Sequence, residues 1–330
     1  MQVAHHSTAA RRLAFCLLLP ALLLGSEVIA RTERIELANG DLYEGEVVDD
    51  LRTGQGIYVW ADGHRYEGEF EANRMQGQGV YFWPDGRTYT GTFVADRREG
   101  RGVLRWPNGD VYDGEFLDNK MHGTGRFVWA NADAYVGDFR DGSRSGQGQI
   151  QWSTGERYTG GFDDGIRVGR GIFEWPDGRR YEGSFADDAK SGKGVLEWPN
   201  GNRFVGEFAE DARSGLGIFY WRDGTVYQGH YAGDKMHGYG VKEQPDGAME
   251  LQRWQEGVLQ FGKALVADAR CSLTIDSQSW MFFSEQCING LAHGQGLAVR
   301  LDGRLIVEEG RFVLGNLIEG EIRVLRLGES

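Results

Sequence analysis

The side chains that could do chemistry in this 330-residue chain are its histidines and its many carboxylates. His122 and His237 stand in the same short context, Lys-Met-His-Gly, and His293 follows near the C-terminus. The sequence has no His-Glu-x-x-His, Gly-x-Ser-x-Gly or Gly-Lys-Ser/Thr motif, so the spacings needed for a zinc protease, a serine hydrolase or a phosphate loop are missing. We therefore expect solvated turn histidines, and we predict no enzymatic activity, no bound metal and no cofactor.

Acidic residues occur in pairs separated by one residue, such as Glu67 with Glu69 and Asp113 with Glu115. In a β-strand, residues i and i+2 project to the same face, so these pairs predict an acidic sheet face. The simpler interpretation is a solvated face that keeps the protein soluble. The alternative is a ladder of carboxylates that attracts Ca²⁺ or a basic partner.

The elements that carry these residues are repeats with a period of 23 residues. The aromatic residue at Tyr66 recurs nine times, from Tyr43 to Tyr227, with Phe204 as the one phenylalanine. A glycine two residues later and a Gly-x-Gly pair are present in all nine copies, and tryptophan ends eight of them. A fixed period of this length indicates stacked supersecondary units. Most of the 51 glycines belong to this pattern, so they indicate architecture and not a disordered linker.

Each repeat is predicted to form one β-hairpin, because its aromatic and glycine positions alternate with polar ones. We expect Phe70 to lie opposite Gly79 in the neighbouring strand. That register would place Gly68 opposite Tyr81 and Tyr66 opposite Trp83, so that each large ring meets a glycine or a second ring. Pro-Asp-Gly sequences after the tryptophan favour type I turns between hairpins. The positions predicted to be structural are Tyr66, Gly68, Phe70, Gly77, Gly79, Trp83 and Gly86.

The N-terminal 30 residues are typical of a secretory signal peptide. Arg11 and Arg12 precede an apolar run from Leu13 to Leu24, and small or β-branched residues lead to Ala30. The run is short for a membrane span, which needs roughly 20 apolar residues. We expect cleavage after Ala30, with an uncleaved anchor as the alternative.

The period ends after the ninth repeat, and residues 257–330 are predicted to form a degenerate β-cap on the array of residues 31–256. Motif fragments return there at 294–296, 302–303 and 310–312. Cys271 and Cys287 are the two cysteines left after signal cleavage, and an even count in an exported chain predicts a disulfide. We expect this cap to cover the last edge of the array.

The repeats resemble MORN repeats (membrane occupation and recognition nexus). Most units carry the pattern Tyr-x-Gly-x-Phe, and all nine carry the short loop and Gly-x-Gly. The strings 120–125 and 235–240 match the loop of that family closely. The resemblance implies an all-β fold, an elongated and twisted antiparallel sheet of stacked hairpins. It implies binding or scaffolding more than catalysis. The export signal and the cysteine-bearing cap depart from intracellular members, so their partners are not carried over.

Charge restricts the partner of this predicted scaffold. The net charge of −13 disfavours nucleic acid and electrostatic attachment to an anionic membrane. We predict a bacterial, exported scaffold, most simply periplasmic, that binds a protein partner along its sheet. The alternative is a cell-wall or glycan-binding module that uses its Tyr/Trp ladder, and a third hypothesis is regulation of an exported enzyme through the cap.

Overall fold

A computed structural model of the chain describes residues 31–265, 271–283 and 287–326. The predicted signal peptide, residues 1–30, lies outside this part of the chain. In the described ranges, no helix is long and apolar enough to cross a membrane.

The chain forms two β-sheets, of which the larger is antiparallel throughout, and this confirms the all-β prediction. The larger sheet has 21 strands in sequence order, each paired with the next one along the chain. At about 4.8 Å between strands, this sheet is on the order of 95 Å long. Its strands are Arg31–Glu36 (β1), Leu42–Val48 (β2), Leu51–Val59 (β3), Arg65–Glu71 (β4), Arg74–Phe82 (β5), Thr88–Val94 (β6), Arg97–Arg105 (β7), Val111–Leu117 (β8), Lys120–Val128 (β9), Ala134–Arg140 (β10), Ser143–Gln151 (β11), Arg157–Asp163 (β12), Ile166–Glu174 (β13), Arg180–Ala186 (β14), Ala189–Glu197 (β15), Arg203–Ala209 (β16), Ala212–Tyr220 (β17), Val226–Ala232 (β18), Lys235–Glu243 (β19), Met249–Gln255 (β20) and Val258–Ala264 (β21).

The second sheet is C-terminal and smaller. Its strands are Ser272–Ile275 (β22), Gln278–Phe283 (β23), Cys287–Ile288 (β24), Leu291–Ala292 (β25), Gly294–Arg300 (β26), Leu305–Val313 (β27), Asn316–Glu319 (β28) and Ile322–Val324 (β29). The large sheet continues to Ala264, so the first strand after residue 257 pairs with the array.

Each repeat is one hairpin, but the predicted register is wrong. Gly68 pairs with Gly79, and Tyr66 pairs with Tyr81. Phe70 pairs with Met75, next to a two-residue turn. The strands therefore meet two residues away from the expected alignment, and Trp83 lies beyond the end of β5.

A two-residue turn at 72–73 and a β-bulge at Gly77 together set the observed register. The pairing shifts between Gly68 and Glu69, which leaves Gly77 and Gln78 without partners in β4. Gly77 has a φ of 63°, a left-handed conformation that glycine adopts at little cost. The Glu69 carboxylate accepts the backbone N–H of Gln78 at 2.9 Å, which satisfies a donor that the bulge removes from the ladder.

The paired glycines leave room for the tyrosine ring. A Cβ atom at Gly79 would overlap the ring of Tyr66, and one at Gly68 would overlap both the Tyr66 hydroxyl and the backbone of Gly79. The tyrosine therefore lies flat over the glycine pair of its own hairpin. Its hydroxyl donates to the backbone carbonyl of Glu69 at 3.0 Å.

These rings form the core of the array. The Tyr66 ring contacts Phe70 of its own hairpin and Phe93 of the next one, with centroids 5.2 and 5.0 Å apart in edge-to-face geometry. The same two contacts recur at Tyr89 with Phe93 and Phe116. The core is thus a continuous file of rings on one side of the sheet, here called the aromatic face.

Two kinds of hydrogen bond join neighbouring repeats. In the Pro-Asp-Gly turn, the N–H of Gly86 donates to the Trp83 carbonyl at 3.0 Å, and Gly86 has a φ of 90°. In the two-residue turn, a side-chain oxygen of Asn73 accepts the backbone N–H of Arg52 from the preceding repeat at 2.9 Å. Asp or Asn makes the equivalent bond at five further junctions, through Asp96, Asn119, Asp188, Asp211 and Asp234.

The second sheet, here called the cap, does not cover the last edge of the array. Among the described residues, β21 pairs only with β20, and its Val258 side chain is 61% exposed. The cap instead packs on the side opposite the aromatic face, where Val299, Ile306 and Leu325 bury Val241 and Leu251. The expectation of an edge cover is therefore wrong, because the cap buries aliphatic side chains of this opposite face and forms no ladder with β21 in the described part of the chain.

The cap contains a degenerate repeat. Gly296 pairs with Gly310 and Gly294 with Phe312, which is the register of Gly79 with Gly91 and of Gly77 with Phe93 in the array. The motif fragments at 294–296 and 310–312 therefore form a strand pair like that of a repeat.

Candidate binding groove on the aromatic face

The leading aromatic of each repeat, from Tyr43 to Tyr227, is buried, which supports its predicted structural role and keeps it from contacting a ligand. Tyr66, Tyr89 and Tyr112 have no exposed surface, and Phe70 is 5% exposed. A sugar ring cannot stack on them, so the glycan hypothesis loses this half of its proposed ladder. Gly68, Gly77 and Gly79 lie beneath or beside these rings and are also structural.

The tryptophans form the accessible row of this face. Trp83, Trp129 and Trp152 are each half-buried, with part of the ring open to solvent. Trp83 packs on Tyr81 at 4.6 Å, and Trp152 packs on Phe173 of the next repeat at 5.5 Å. The row follows the length of the sheet.

Basic side chains bridge successive rings in this row. The Arg98 guanidinium lies 5.3 Å from the Trp83 ring and 5.5 Å from Phe116, and so spans three repeats. Burial among these rings lowers the pKa of Arg98. The equivalent positions carry Arg52, Arg144, Arg167, Lys190 and Arg213.

The sequence interpretation missed these cations. Their signal is a basic residue nine positions after the repeat tyrosine, with methionine in the remaining repeats, such as Met75 and Met121. A long aliphatic stem is common to both types, which fits a position that covers rings and leaves its end near solvent.

Two adjoining cavities lie along this row, on either side of Trp152. The row and its cavities are here called the tryptophan groove. The first, about 420 Å³, is lined by Trp175, Arg167 and Lys190 among others. The second, about 440 Å³, is lined by Trp129, Arg144 and Asp133 among others. Each cavity therefore combines an aromatic wall with a charged rim.

Carboxylates hold the cations of the first cavity in place. Lys190 Nζ lies 2.9 Å from Asp211 Oδ1, and Arg167 Nε lies 2.9 Å from Asp188 Oδ1. The pKa of both carboxyls is lowered, because hydrogen bonds from Lys190 and Arg167 and their positive charges outweigh desolvation. Both pairs are preorganised features of the groove wall.

The paired carboxylates of the opposite face have structural partners. Glu115 accepts the backbone N–H of Thr124 at 3.1 Å, as Glu69 does for Gln78. Glu67 makes an ion pair with Arg65. Asp113 lies across from Arg126 in the ladder. Among the described residues, no cluster of three or more His, Cys, Asp or Glu side chains is arranged to hold a metal ion.

The candidate histidines do not meet. His122 lies across from Glu115 in the fourth repeat, and His237 lies across from His230 in the ninth. His293 belongs to the cap. The structure thus brings none of the three sequence candidates together.

Cys271 and Cys287 lie at disulfide distance, with their Cα atoms 5.5 Å apart. Cys271 is 5% exposed and packs with Leu273 and Phe312 in the core of the cap. The cross-link therefore lies within the cap and does not attach the cap to the array.

Comparison with known proteins identifies the repeats. A family model described as "MORN repeat" matches residues 43–65, 66–86, 89–111, 112–133, 135–157, 158–179, 181–203, 204–226 and 227–249. These nine matches confirm the nine copies predicted from the sequence. No curated protein matches the chain significantly.

Several solved structures are similar to part of the chain. The TCP domain of Drosophila melanogaster SAS-4, solved with a proline-rich motif of Ana2, is 17% identical, with 54% of this chain and 90% of that one covered and a TM-score of 0.33. The G-box domain of the microcephaly protein CPAP is 14% identical over 68% of this chain and 100% of its own, with a TM-score of 0.25. A streptogramin B lyase is 10% identical over 88% and 78% of the two chains, with a TM-score of 0.14. Likeness at this level supports no conclusion about partners or chemistry.

Proposed function

The chain belongs to the MORN-repeat family, and we propose that it is an exported scaffold whose tryptophan groove binds a protein partner. The scaffold would act in the periplasm and would have no catalytic role. The observation that carries it is the pair of cavities beside Trp152, because apolar pockets with a few fixed polar groups are typical recognition sites.

The composition of the groove fits a protein partner. Tryptophan and arginine are the residues enriched at the energetic centres of protein interfaces. Here both are fixed by packing and by ion pairs before any partner arrives, which lowers the entropy cost of binding. The two cavities are one repeat apart, and the spacing between strands makes this distance about 10 Å. An extended peptide spans that distance in three residues.

The groove position of a partner can be tested by photo-crosslinking in the cells that make the protein. Thr154 lines the first cavity and is exposed, so a photoreactive residue there should yield a discrete protein adduct. Thr90 is the control, because it is also exposed but belongs to the opposite face of the sheet. Equal adducts at both positions, or none at Thr154, would contradict the proposal.

Export has a separate test. N-terminal sequencing of protein from the periplasmic fraction should start at Arg31 if the signal is cleaved after Ala30. Recovery of an intact N-terminus from the cytoplasm would contradict export and leave the groove proposal unaffected.

A further inference from the structure

A second apolar surface lies on the face opposite the groove. One residue from each strand forms a row across this face, and in the seventh and eighth repeats three neighbours in the row are aliphatic. Val195 pairs with Val205, which pairs with Ile218. With Leu216 they line an apolar cavity of about 300 Å³, and all four side chains are half-buried. These four residues are here called the aliphatic patch.

The repeats themselves show that the fold does not need this patch. The position of Val205 is Glu44, Glu67 and Glu182 in other repeats, and the position of Leu216 is Gln55, Gln78 or Arg101. Those repeats form the same hairpin with the same register. The eighth repeat departs from the pattern at both positions, and the two changes converge on one place.

The cap shows what this row binds. Two strands further on, after Gln228, the row continues with Val241 and Leu251, and Ile306 of β27 packs on them. Glu308 and Glu309 follow Ile306 in the chain and line a cleft with Tyr239 and Arg253. In the segment Leu305–Glu309, Ile306 thus lies on the row and the two glutamates lie beside a cation, while Leu305 and Val307 belong to the core of the cap.

The aliphatic patch offers the same chemistry without a cover. Arg170 and Lys193 border it, as Arg253 borders the cap site, and Glu182 and Glu207 also line it. The Arg170 side chain is 83% exposed, and its contact with Glu182 is long, at 3.9 Å. Gln228, between the patch and the cap site, is 2% exposed, and its Nε2 has no hydrogen-bond acceptor among the described residues.

The occupant must be narrow. The cap stands on the same face, with Gly303 against Val241, and would obstruct a second broad sheet laid over the patch. We propose that the aliphatic patch binds a peptide segment of a partner protein in which an aliphatic side chain is followed two and three residues later by glutamates, as Ile306 is followed by Glu308 and Glu309. This site is independent of the tryptophan groove.

The test uses the whole chain and an acetylated peptide Leu-Ile-Val-Glu-Glu-Gly, the sequence of 305–310. Methyl NMR of the patch residues should show saturable shifts, with a Kd below about 1 mM. The double variant Val205→Glu, Leu216→Gln restores the residue types of other repeats, so it should fold normally and bind at least about tenfold more weakly. Val136→Glu is the matched control, because Val136 holds the same repeat position as Val205, is 53% exposed and lies outside the patch.

A charge exchange tests the same site without touching its apolar residues. Arg170→Glu with Lys193→Glu should weaken the peptide about tenfold and strengthen Leu-Ile-Val-Lys-Lys-Gly by a similar factor. Absence of shifts at about 1 mM peptide would overturn the proposal. So would shifts confined to the tryptophan groove, or shifts only at Val241 and Leu251, which would mean displacement of the cap. Wild-type affinity in both double variants would overturn it as well.

Discussion

At the residue scale, the turns between hairpins follow a rule that links two distant positions. Four repeats have Asp or Asn two residues before the repeat aromatic, and in those four the residue after tryptophan is not proline. The backbone N–H of the residue after tryptophan donates to the side-chain oxygen of that Asp or Asn. In one example, Ala130 N lies 2.8 Å from Asp110 Oδ1. The other five repeats have proline, which has no N–H, and no Asp or Asn. The pairs are Asp41 with Ala61, Asp110 with Ala130, Asp133 with Ser153 and Asn202 with Arg222.

This rule predicts a loss and its rescue. Asp110→Ala leaves the Ala130 N–H without its acceptor and should cost about 1 kcal/mol of unfolding free energy in urea titration. Ala130→Pro in that background removes the donor and should restore most of the loss, since proline occupies the same turn position at Pro107. Ala130→Pro with Asp110 intact is the control. A double variant less stable than Asp110→Ala would contradict the rule.

The glycines divide into two groups with different sensitivities. Gly102 lies under the Tyr89 ring, so alanine there should cost about 3 kcal/mol through overpacking. Gly169 has a φ of 68° and nothing near its missing Cβ, so alanine there should cost only about 1 kcal/mol of backbone strain. Thermal denaturation of both variants measures the difference. Equal losses would mean that the tyrosine ring moves away without cost.

At the element scale, the sequence predicted the hairpin but not its register. Alternation of aromatic, glycine and polar residues identifies both strands and the turn after Trp83. It does not show that Gly77 takes a left-handed conformation, because a glycine looks the same in a pleated and in a bulged position. The Glu69 carboxylate on the bulge was misread as part of a solvated face for the same reason.

The tryptophan row can be tested in mid-array. Trp129 packs on Phe127 at 4.7 Å, and Arg144 lies 5.6 Å from its ring. Trp129→Ala should lower the unfolding free energy by about 3 kcal/mol and increase hydrogen exchange in β9 to β11. A variant that melts like wild type but no longer binds peptidoglycan fragments would favour the glycan alternative over the protein-binding proposal.

The cap has its own small core, so its cysteines have a local effect. Cys271→Ser should destabilise the cap by about 3 kcal/mol in the chain-entropy model, because the loop to Cys287 becomes free in the unfolded state. Hydrogen exchange should increase in β22 to β28 and stay unchanged in β4 to β17. Loss of protection throughout the array would contradict a cross-link confined to the cap.

At the scale of the whole molecule, the period predicted the long sheet because each repeat can bury its rings only against its neighbours. The position of the cap could not be predicted in the same way. It depends on Val241 and Leu251 facing away from the rings. A single valine or leucine in a row of mixed polar and aliphatic residues does not show what covers it. Two departures from the repeat pattern that lie side by side, such as Val205 and Leu216, are a clearer sequence signal for a covered surface.

The continuous file of buried tyrosines should make the array sensitive to alkali. Burial raises the pKa of Tyr43, Tyr89, Tyr135 and Tyr158 to about 12, above an ordinary value near 10. The protonated form is thus favoured in the folded state, so this contribution is complete below pH ~10 and is lost as the pH rises towards ~12. In that pH window, tyrosinate absorbance should increase while the β-sheet circular dichroism signal decreases. Tyr135→Phe should move the midpoint upwards, since Phe204 shows that the site accepts phenylalanine. Tyrosinate formation near pH ~10 with the sheet intact would mean that the rings reach solvent without unfolding, and would contradict the role of the file as a closed core.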